Sequence, residues 1–403
     1  MIKRAKQRDC QMAFFPECFD YIGRNRDETI ALGIEEDGQY INQFREVARE
    51  HRIWLSLGGF HNKDPSKNCL PFNTYLVLDE NGETRSRYDK LHLFNLDLPG
   101  RIRLMESEFS TAGTDLVLPV DTPIGKLGTA ICYDVRFPEL SLWQRYKGAQ
   151  ILSYPAAFTV NTGLAHWETL LRARAIETQC YVVAAAQTGK HNEKRSSYGH
   201  SMVVDPWGAV IAQCSETVDM CFAEISLDYL DEVRALQPVL DHRRSDLYSL
   251  IANERSESKE SVQFGPNTIS SDTIFYRSGK SFAFVNLKPV KAGHVLVAPI
   301  REVKRLAELT DPETADLFIT VTKIQRLLES YYKAEASTVT VQDGPDAGQT
   351  VPHVHVHVIP RTPGDFRDNE IYTVLEGHED VRKPRTEEEM KTEADNYRNF
   401  LNR

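Results

Sequence analysis

Three histidines stand at alternate positions in Pro352-His353-Val354-His355-Val356-His357-Val358, with a valine between each pair. Successive side chains on a strand point to opposite faces. The spacing therefore predicts a strand over 353–360 with all three imidazoles on one face and the valines in a core. Bare imidazoles in a row are costly to bury and are useful where protons, phosphates or metals are handled. One sheet near the C-terminus thus carries chemistry on one of its sides.

The remaining chain is too long for this sheet alone: 403 residues suit two or three domains. An apolar share of 41% and a charged share of 26% describe a globular protein. No apolar run reaches the roughly 18 residues that a membrane span needs, and the basic start Met1-Ile2-Lys3-Arg4 has no apolar stretch behind it to make a secretory signal. A net charge of −10 argues against general nucleic-acid binding. The seven cysteines show no Cys-x-x-Cys pairing, which is expected of reduced thiols in a cytoplasmic setting.

Short apolar runs alternate with helical stretches from Ile30 to Ile251. Strands are expected at Ile53–Phe60, Asn73–Asp79, Gly128–Cys132, Ile151–Tyr154, Tyr181–Gln187 and Ser201–Val204. Helices are expected at Asp37–His51, Pro138–Lys147 and Ala165–Gln179, and a hairpin turn at Asp205-Pro206-Trp207-Gly208. This is α/β patterning with some direct strand pairing. A polar seam near Ala252–Ser261 separates it from a smaller α+β unit. There, strands are expected at Ile274–Tyr276, Phe282–Val285, His294–Pro299, Ser337–Gln342 and His353–Pro360, around a helix Pro312–Tyr332. The division reads 1–252, a linker 253–263, a second domain 264–370 and a charged helical tail 371–403.

The first half holds three motifs: Phe14-Phe15-Pro16-Glu17-Cys18, Tyr88-Asp89-Lys90-Leu91-His92 and Ile131-Cys132-Tyr133-Asp134-Val135-Arg136. A cysteine nucleophile needs a base to take its proton and a cation or N–H donor for the tetrahedral oxyanion. Glu, Lys and Cys at the ends of strands supply those parts. Singly, Cys132 reads as a buried thiol and Glu17 and Lys90 as solvated charges. The three motifs together outweigh that reading. They resemble the nitrilase (carbon–nitrogen hydrolase) superfamily, as do Tyr154-Pro155-Ala156-Ala157-Phe158 and His166-Trp167-Glu168. The resemblance implies an α-β-β-α sandwich and a triad of Glu17 as base, Lys90 as oxyanion stabiliser and Cys132 as nucleophile. The Tyr133 N–H would join the oxyanion hole, and Glu106 would be a further catalytic carboxylate with Glu108 as its rival. Cys18, His92 and His166 are expected to be packing or pocket-lining residues, and Arg172 and Arg174 to form ion pairs. Nitrilase domains usually open with a strand and helix ahead of the Pro-Glu strand, and only about a dozen residues precede Phe14 here. That opening strand is expected to be missing, leaving a sheet edge exposed.

The second half resembles the histidine triad superfamily, whose strand reads His-φ-His-φ-His. Val341-Gln342-Asp343-Gly344-Pro345-Asp346-Ala347-Gly348-Gln349-Thr350 fits its fragile histidine triad branch. That branch hydrolyses diadenosine triphosphate to AMP and ADP. Breaking a phosphoanhydride needs an in-line nucleophile and charge-stabilising donors. His355 would attack the α-phosphorus, with His353 and His357 about 7 Å away by strand geometry donating to phosphate or leaving group. The resemblance implies nucleotide contacts from Asn286, Gln342, Gly348, Gln349, Thr350, Val351 and His357, with His294 behind the strand. Asn267 stands where the branch often has histidine. A His-x-His strand can also bind zinc, but no carboxylate or cysteine nearby lies at suitable spacing. Mn²⁺ or Mg²⁺ is expected only as companion of the polyphosphate, with no cofactor in the first half.

Both resemblances in this order imply a nitrilase joined to a fragile histidine triad protein, a bifunctional hydrolase. Its substrates would be diadenosine triphosphate and a small amide, on branch resemblance that of deaminated glutathione amidase. The resemblance further implies a homo-oligomer, such as a tetramer. Open alternatives are an ω-amidase or N-carbamoyl hydrolase in the first half and a nucleoside phosphoramidase in the second. A third is a signalling or scaffold module acting through its nucleotide-bound state.

Overall fold

The computed structural model describes residues 1–66, 69–98, 102–244, 247–250, 252, 260–367, 370–376 and 382–401. They form two compact units, Met1–Ser245 and Asp246–Arg403. The expected seam falls largely on residues 253–259, outside the described residues.

In the first unit Met12–Phe14, Trp54–Asn62, Phe72–Leu78 and Thr84–Asp89 form a four-stranded sheet in that order. The second sheet has six strands, in the spatial order Val210–Gln213, Met202–Val204, Tyr181–Ala184, Ile151–Ser153, Gly125–Thr129 and Val120–Thr122. Phe72–Leu78 is buried at every position, because it is covered on both faces. On one side Tyr75 and Val77 meet Leu127, Ile131, Ile151 and Tyr181 of the other sheet. On the other side Leu76 and Leu78 pack with Ile41 and Ala48 of the helix Gln39–His51. Helices Pro138–Tyr146 and Val160–Thr178 contact the second sheet. The architecture is the α-β-β-α sandwich. Burying each large apolar side chain in it contributes about 1.5–3 kcal/mol.

Met12–Phe14 lies at one end of the sheet order, paired in parallel with Trp54–Ser56. Gly58 sets how closely this strand's exit approaches the second sheet. A Cβ there would lie 2.0 Å from the Phe15 carbonyl oxygen and 2.4 Å from Pro155 Cβ, so only glycine fits.

The second unit is a five-stranded antiparallel sheet in the order Ile274–Arg277, Ser281–Val285, Val295–Pro299, Val356–Arg361, Ala336–Val341. The long helix Asp311–Tyr332 lies on one face, opened by a capping box of Thr310 and Glu313. Val354, Val356 and Val358 face that helix with Leu317, Val321 and Ile324. The opposite face carries the imidazoles and a second cluster containing Phe264, Phe282 and Phe284.

Several expected elements differ in extent. The strand before Cys132 stops at Thr129, and Cys132 opens a 3₁₀ turn, Cys132–Arg136. The helix expected from Ala165 begins at Val160, because the Thr159 hydroxyl accepts the Thr162 N–H as N-cap. The histidine strand is shorter than its alternation implied. It runs Val356–Arg361, with His353 and His355 in the approach to it. The hairpin Val262–Phe264 and Asn267–Ile269 begins inside the segment read as linker. The tail forms the helix Glu387–Leu401.

Candidate functional site

In the first unit the three motifs converge. Lys90 Nζ donates to Glu17 Oε1 at 2.9 Å and to Glu106 at 2.9 and 3.0 Å. Lys90, Glu17 and Glu106 are only 2%, 4% and 6% exposed, so this ion cluster is closed from bulk water. Glu106 also accepts the Phe94 N–H at 2.7 Å, which ties it to the Lys90 loop. Its rival Glu108 is exposed and pairs with Arg103. Between the two candidates, only Glu106 reaches the cluster.

Cys132 has φ of +45°, a left-handed backbone that a β-carbon strains, and its N–H donates to the Pro155 carbonyl at 2.9 Å. The turn that holds it is fixed from within. Buried Asp134 accepts from the Ile131 N–H, the Tyr88 hydroxyl and the His92 N–H, and it also contacts the His92 ring. His92 is therefore a structural partner of the Cys132 turn, stacked on Phe137. Tyr133 follows Cys132 in the first turn, where N–H groups lack partners within the helix.

Burial pushes the Glu17 carboxyl up, but Lys90, with Cys132 and Asn73, more than offsets it and holds the group below its ordinary value. Burial alone would lower Lys90, but Glu106 and Glu17 raise it well above its ordinary range. The Cys132 thiol is raised well above its usual value by burial first and by Glu17 second. The resting site is thus an ionised carboxylate, a protonated lysine and a neutral thiol. A base in contact with the thiol can take its proton as it attacks.

These groups line a pocket of about 740 Å³ with Tyr133, Arg136, Phe158 and Arg195. Cys18 lines it too, neutral through burial and the neighbouring Glu17 and Asp20. His166 bonds Arg136 at 3.2 Å, Arg172 pairs with Glu168, and Arg174 with Glu177. Sequence reasoning missed Asn73, whose amide donates to both Glu17 and Glu106. The signal was a buried polar residue in the apolar run Leu70–Leu78. It also missed Arg195, which no local pattern marks.

In the second unit the hydrogen bonds assign each imidazole a different part. His355 Nδ1 lies 2.7 Å from the His353 carbonyl, which only accepts, so Nδ1 carries the hydrogen. In the neutral ring the lone pair then sits on Nε2, the nitrogen a nucleophile needs. His294 Nδ1 accepts the Val290 N–H, so its Nε2 carries hydrogen and donates to His357 Nδ1 at 2.9 Å. His357 is left with hydrogen on Nε2, and that buried atom has no hydrogen-bond partner among the described residues. Burial, His355 and Arg382 push His357 down to about 3, and burial with His357 lowers His294 well below its usual value. Both rings are neutral near pH 7.

His353 corrects the expectation of three working imidazoles. It is fully buried; its Nε2 donates to the Pro299 carbonyl at 2.8 Å and its Nδ1 accepts the Gly265 N–H. With both nitrogens bonded to backbone it can position His355 but has nothing left for phosphate. The spacing is also tighter than the expected 7 Å: the His355 and His357 rings are 5.0 Å apart, and Phe264 lies 5.2 and 5.3 Å from His353 and His355.

Among the nucleotide candidates, Gly348 has φ of +86°, and a Cβ there would meet Gln342 Nε2 at 2.7 Å, so glycine is required. The Gln349 amide is turned inward, accepting from Gly344 N–H and donating to the Lys304 and His353 carbonyls. Val351 packs on the Phe264 cluster. Asn286 accepts the Lys288 N–H and lies 3.2 Å from His294 Nε2. Thr350 and Asn267 are exposed. Among the described residues, no three His, Cys, Asp or Glu are placed to hold a metal ion.

Residues 1–235 match the carbon–nitrogen hydrolase family and residues 267–364 the HIT domain. The chain belongs to the family of fusions between the two, and is by its domains a bifunctional hydrolase. It is 63% identical to the nitrilase and fragile histidine triad fusion protein NitFhit of Caenorhabditis elegans, over 100% of this chain and 92% of that one. The crystal structure of the C. elegans NitFhit protein superposes with a TM-score of 0.89 and 61% identity, covering 99% of this chain and 93% of that one. Deaminated glutathione amidase of Homo sapiens is 49% identical over 64% of this chain and 79% of its own length.

Proposed function

We propose that the first unit hydrolyses deaminated glutathione and the second hydrolyses diadenosine triphosphate. The observation that carries the first reading is the closed Glu17–Lys90–Glu106 cluster beside Cys132. Cys132 Sγ attacks the amide carbonyl while Glu17 takes the thiol proton. Lys90 Nζ and the Tyr133 N–H hold the oxyanion, and Glu17 returns the proton to the leaving amine. Water then cleaves the thioester, releasing 2-oxoglutarate. Glu106 keeps Lys90 charged and aimed.

In the second unit His355 Nε2 attacks the α-phosphorus in line and ADP departs. His357 Nε2–H donates toward the departing oxygen, and water then frees AMP from His355. The unpartnered Nε2 of His357 supports this reading. The polyphosphate enters as its Mg²⁺ or Mn²⁺ complex. Gly348, Gln349 and Thr350 lie along the phosphates, the Gln349 amide exchanging backbone partners for ligand. Asn267, Gln342 and Val351 flank the nucleoside.

We place the protein in the cytoplasm as a homotetramer. No helix among the described residues is long and apolar enough to cross a membrane. Rapid quench with each substrate, in acid for the thioester and in base for the acid-labile nucleotidyl-histidine, followed by mass analysis of peptides, tests both halves. An acyl adduct on Cys132 and an AMP adduct on His355 are expected; adducts elsewhere refute the assignments.

A further inference from the structure

Three cations, Lys90, Arg136 and Arg195, line the first unit's pocket against two carboxylates, Glu17 and Glu106. Lys90 is already consumed by both carboxylates. The two arginines have no carboxylate partner among the described residues. Arg136 bonds the His166 ring and lies over Tyr133 and Phe158.

Arg195 is presented by a built loop. It lies between the paired strands Thr188–Lys190 and Ser196–Tyr198. Asn192 Oδ1 accepts the N–H groups of Lys194 and Arg195, the His191 N–H donates to the Arg195 carbonyl, and His191 Nε2 contacts the Ser197 hydroxyl at 2.8 Å. The Asn192 amide ties the loop to the Gly23 carbonyl on the pocket wall. Arg195 stands close enough to Cys18, next to the base Glu17, for its charge to favour that thiolate. A guanidinium carried to a pocket wall by a built loop, with no carboxylate partner among the described residues, is matched to an anionic ligand group.

We propose that Arg195 is a specificity-determining residue that binds a carboxylate on the leaving amine, so that the pocket selects amides whose amine is itself an acid, as in a dipeptide. This rests on the amidase reading. Glu17 protonates the departing nitrogen, so the amine lies on the Glu17–Cys18 side, where Arg195 stands. Arg136, on the nucleophile's own turn, is left for the carboxylate of the acyl part. Ammonia as leaving group would use none of the Arg195 geometry, which separates this pocket from an ω-amidase.

The test is a cycle of enzyme and substrate changes. Deaminated glutathione and its C-terminal carboxamide differ only in the charge on the leaving dipeptide. For wild type, kcat/KM is expected to favour the carboxylate by about ten- to a hundredfold, the scale of a charge-assisted hydrogen bond. In Arg195→Gln the preference collapses toward unity, and in Arg195→Lys part of it returns. The ratio within one variant is unaffected by partial misfolding. A preference that survives in Arg195→Gln overturns the proposal. Failure of wild type to hydrolyse either amide, in a sample still active on diadenosine triphosphate, overturns the amidase reading and withdraws this proposal with it.

Discussion

His294 Nε2 lies 2.9 Å from His357 Nδ1, and this contact decides which nitrogen of His357 carries the hydrogen. The Val290 N–H starts the relay, because a backbone donor cannot reverse its role. His294→Ala removes the fixed orientation and frees His357 to change tautomer. The triphosphatase kcat is expected to fall about ten- to a hundredfold, as for loss of a residue that orients a functional imidazole, with KM nearly unchanged. Steady-state kinetics on diadenosine triphosphate checks this; equal kcat in variant and wild type contradicts it.

The same neutral imidazoles make the second unit acid-labile. His357 has its folded value at about 3 against an ordinary 6.5, so on lowering pH the unfolded chain takes up the proton first. Stability is therefore fully present above about pH 6.5 and is lost progressively toward pH 3. Thermal melts of wild type and His357→Asn between pH 7 and 5 should show the variant losing less stability on acidification. Parallel slopes refute the linkage.

Two neighbouring glutamates separate by role. Glu106→Gln leaves Lys90 with one carboxylate and should lower amidase kcat/KM by about a hundredfold or more. Glu108→Gln changes only an exposed pair with Arg103 and should alter it less than about twofold. Assays of both variants on deaminated glutathione settle the order.

His353 is assigned to the frame. His353→Ala strands the Pro299 carbonyl and Gly265 N–H in the interior, expected to cost about 1–3 kcal/mol each way an orphan forms. His355→Ala takes one donor from the His353 carbonyl, which Gln349 also serves, and should cost less stability than that while abolishing triphosphatase turnover. Denaturant melts of the two variants should diverge in that sense.

Much of this was legible in sequence because the decisive residues sit in patterned segments. The alternation of His353 to Val358 set the catalytic face and the opposite core, and Asp205–Gly208 marked its hairpin. Pattern could not show that His353 would be bonded on both nitrogens, since Pro299 and Gly265 are distant in sequence. Cys132 was expected on the strand, but Asp134 folds the chain back onto Ile131 and forces a 3₁₀ turn. The partners of Asn73 and Arg195 were hidden for a related reason. Each acts through partners brought near by the sheets, Asn73 on Glu17 and Glu106, Arg195 at the wall beside Cys18. Val262 and Gln263 fall in the segment read as linker because the contacts that anchor their hairpin, Phe264 on Phe284 and on the histidines among them, are tertiary.

Crossed nucleophile variants test most directly whether one chain carries two separate covalent sites. Release of 2-oxoglutarate from deaminated glutathione and of AMP from diadenosine triphosphate would be measured on wild type, Cys132→Ala and His355→Ala. Cys132→Ala should lose only the first activity and His355→Ala only the second. Loss of both activities in either variant, or survival of 2-oxoglutarate release in Cys132→Ala, would contradict that arrangement.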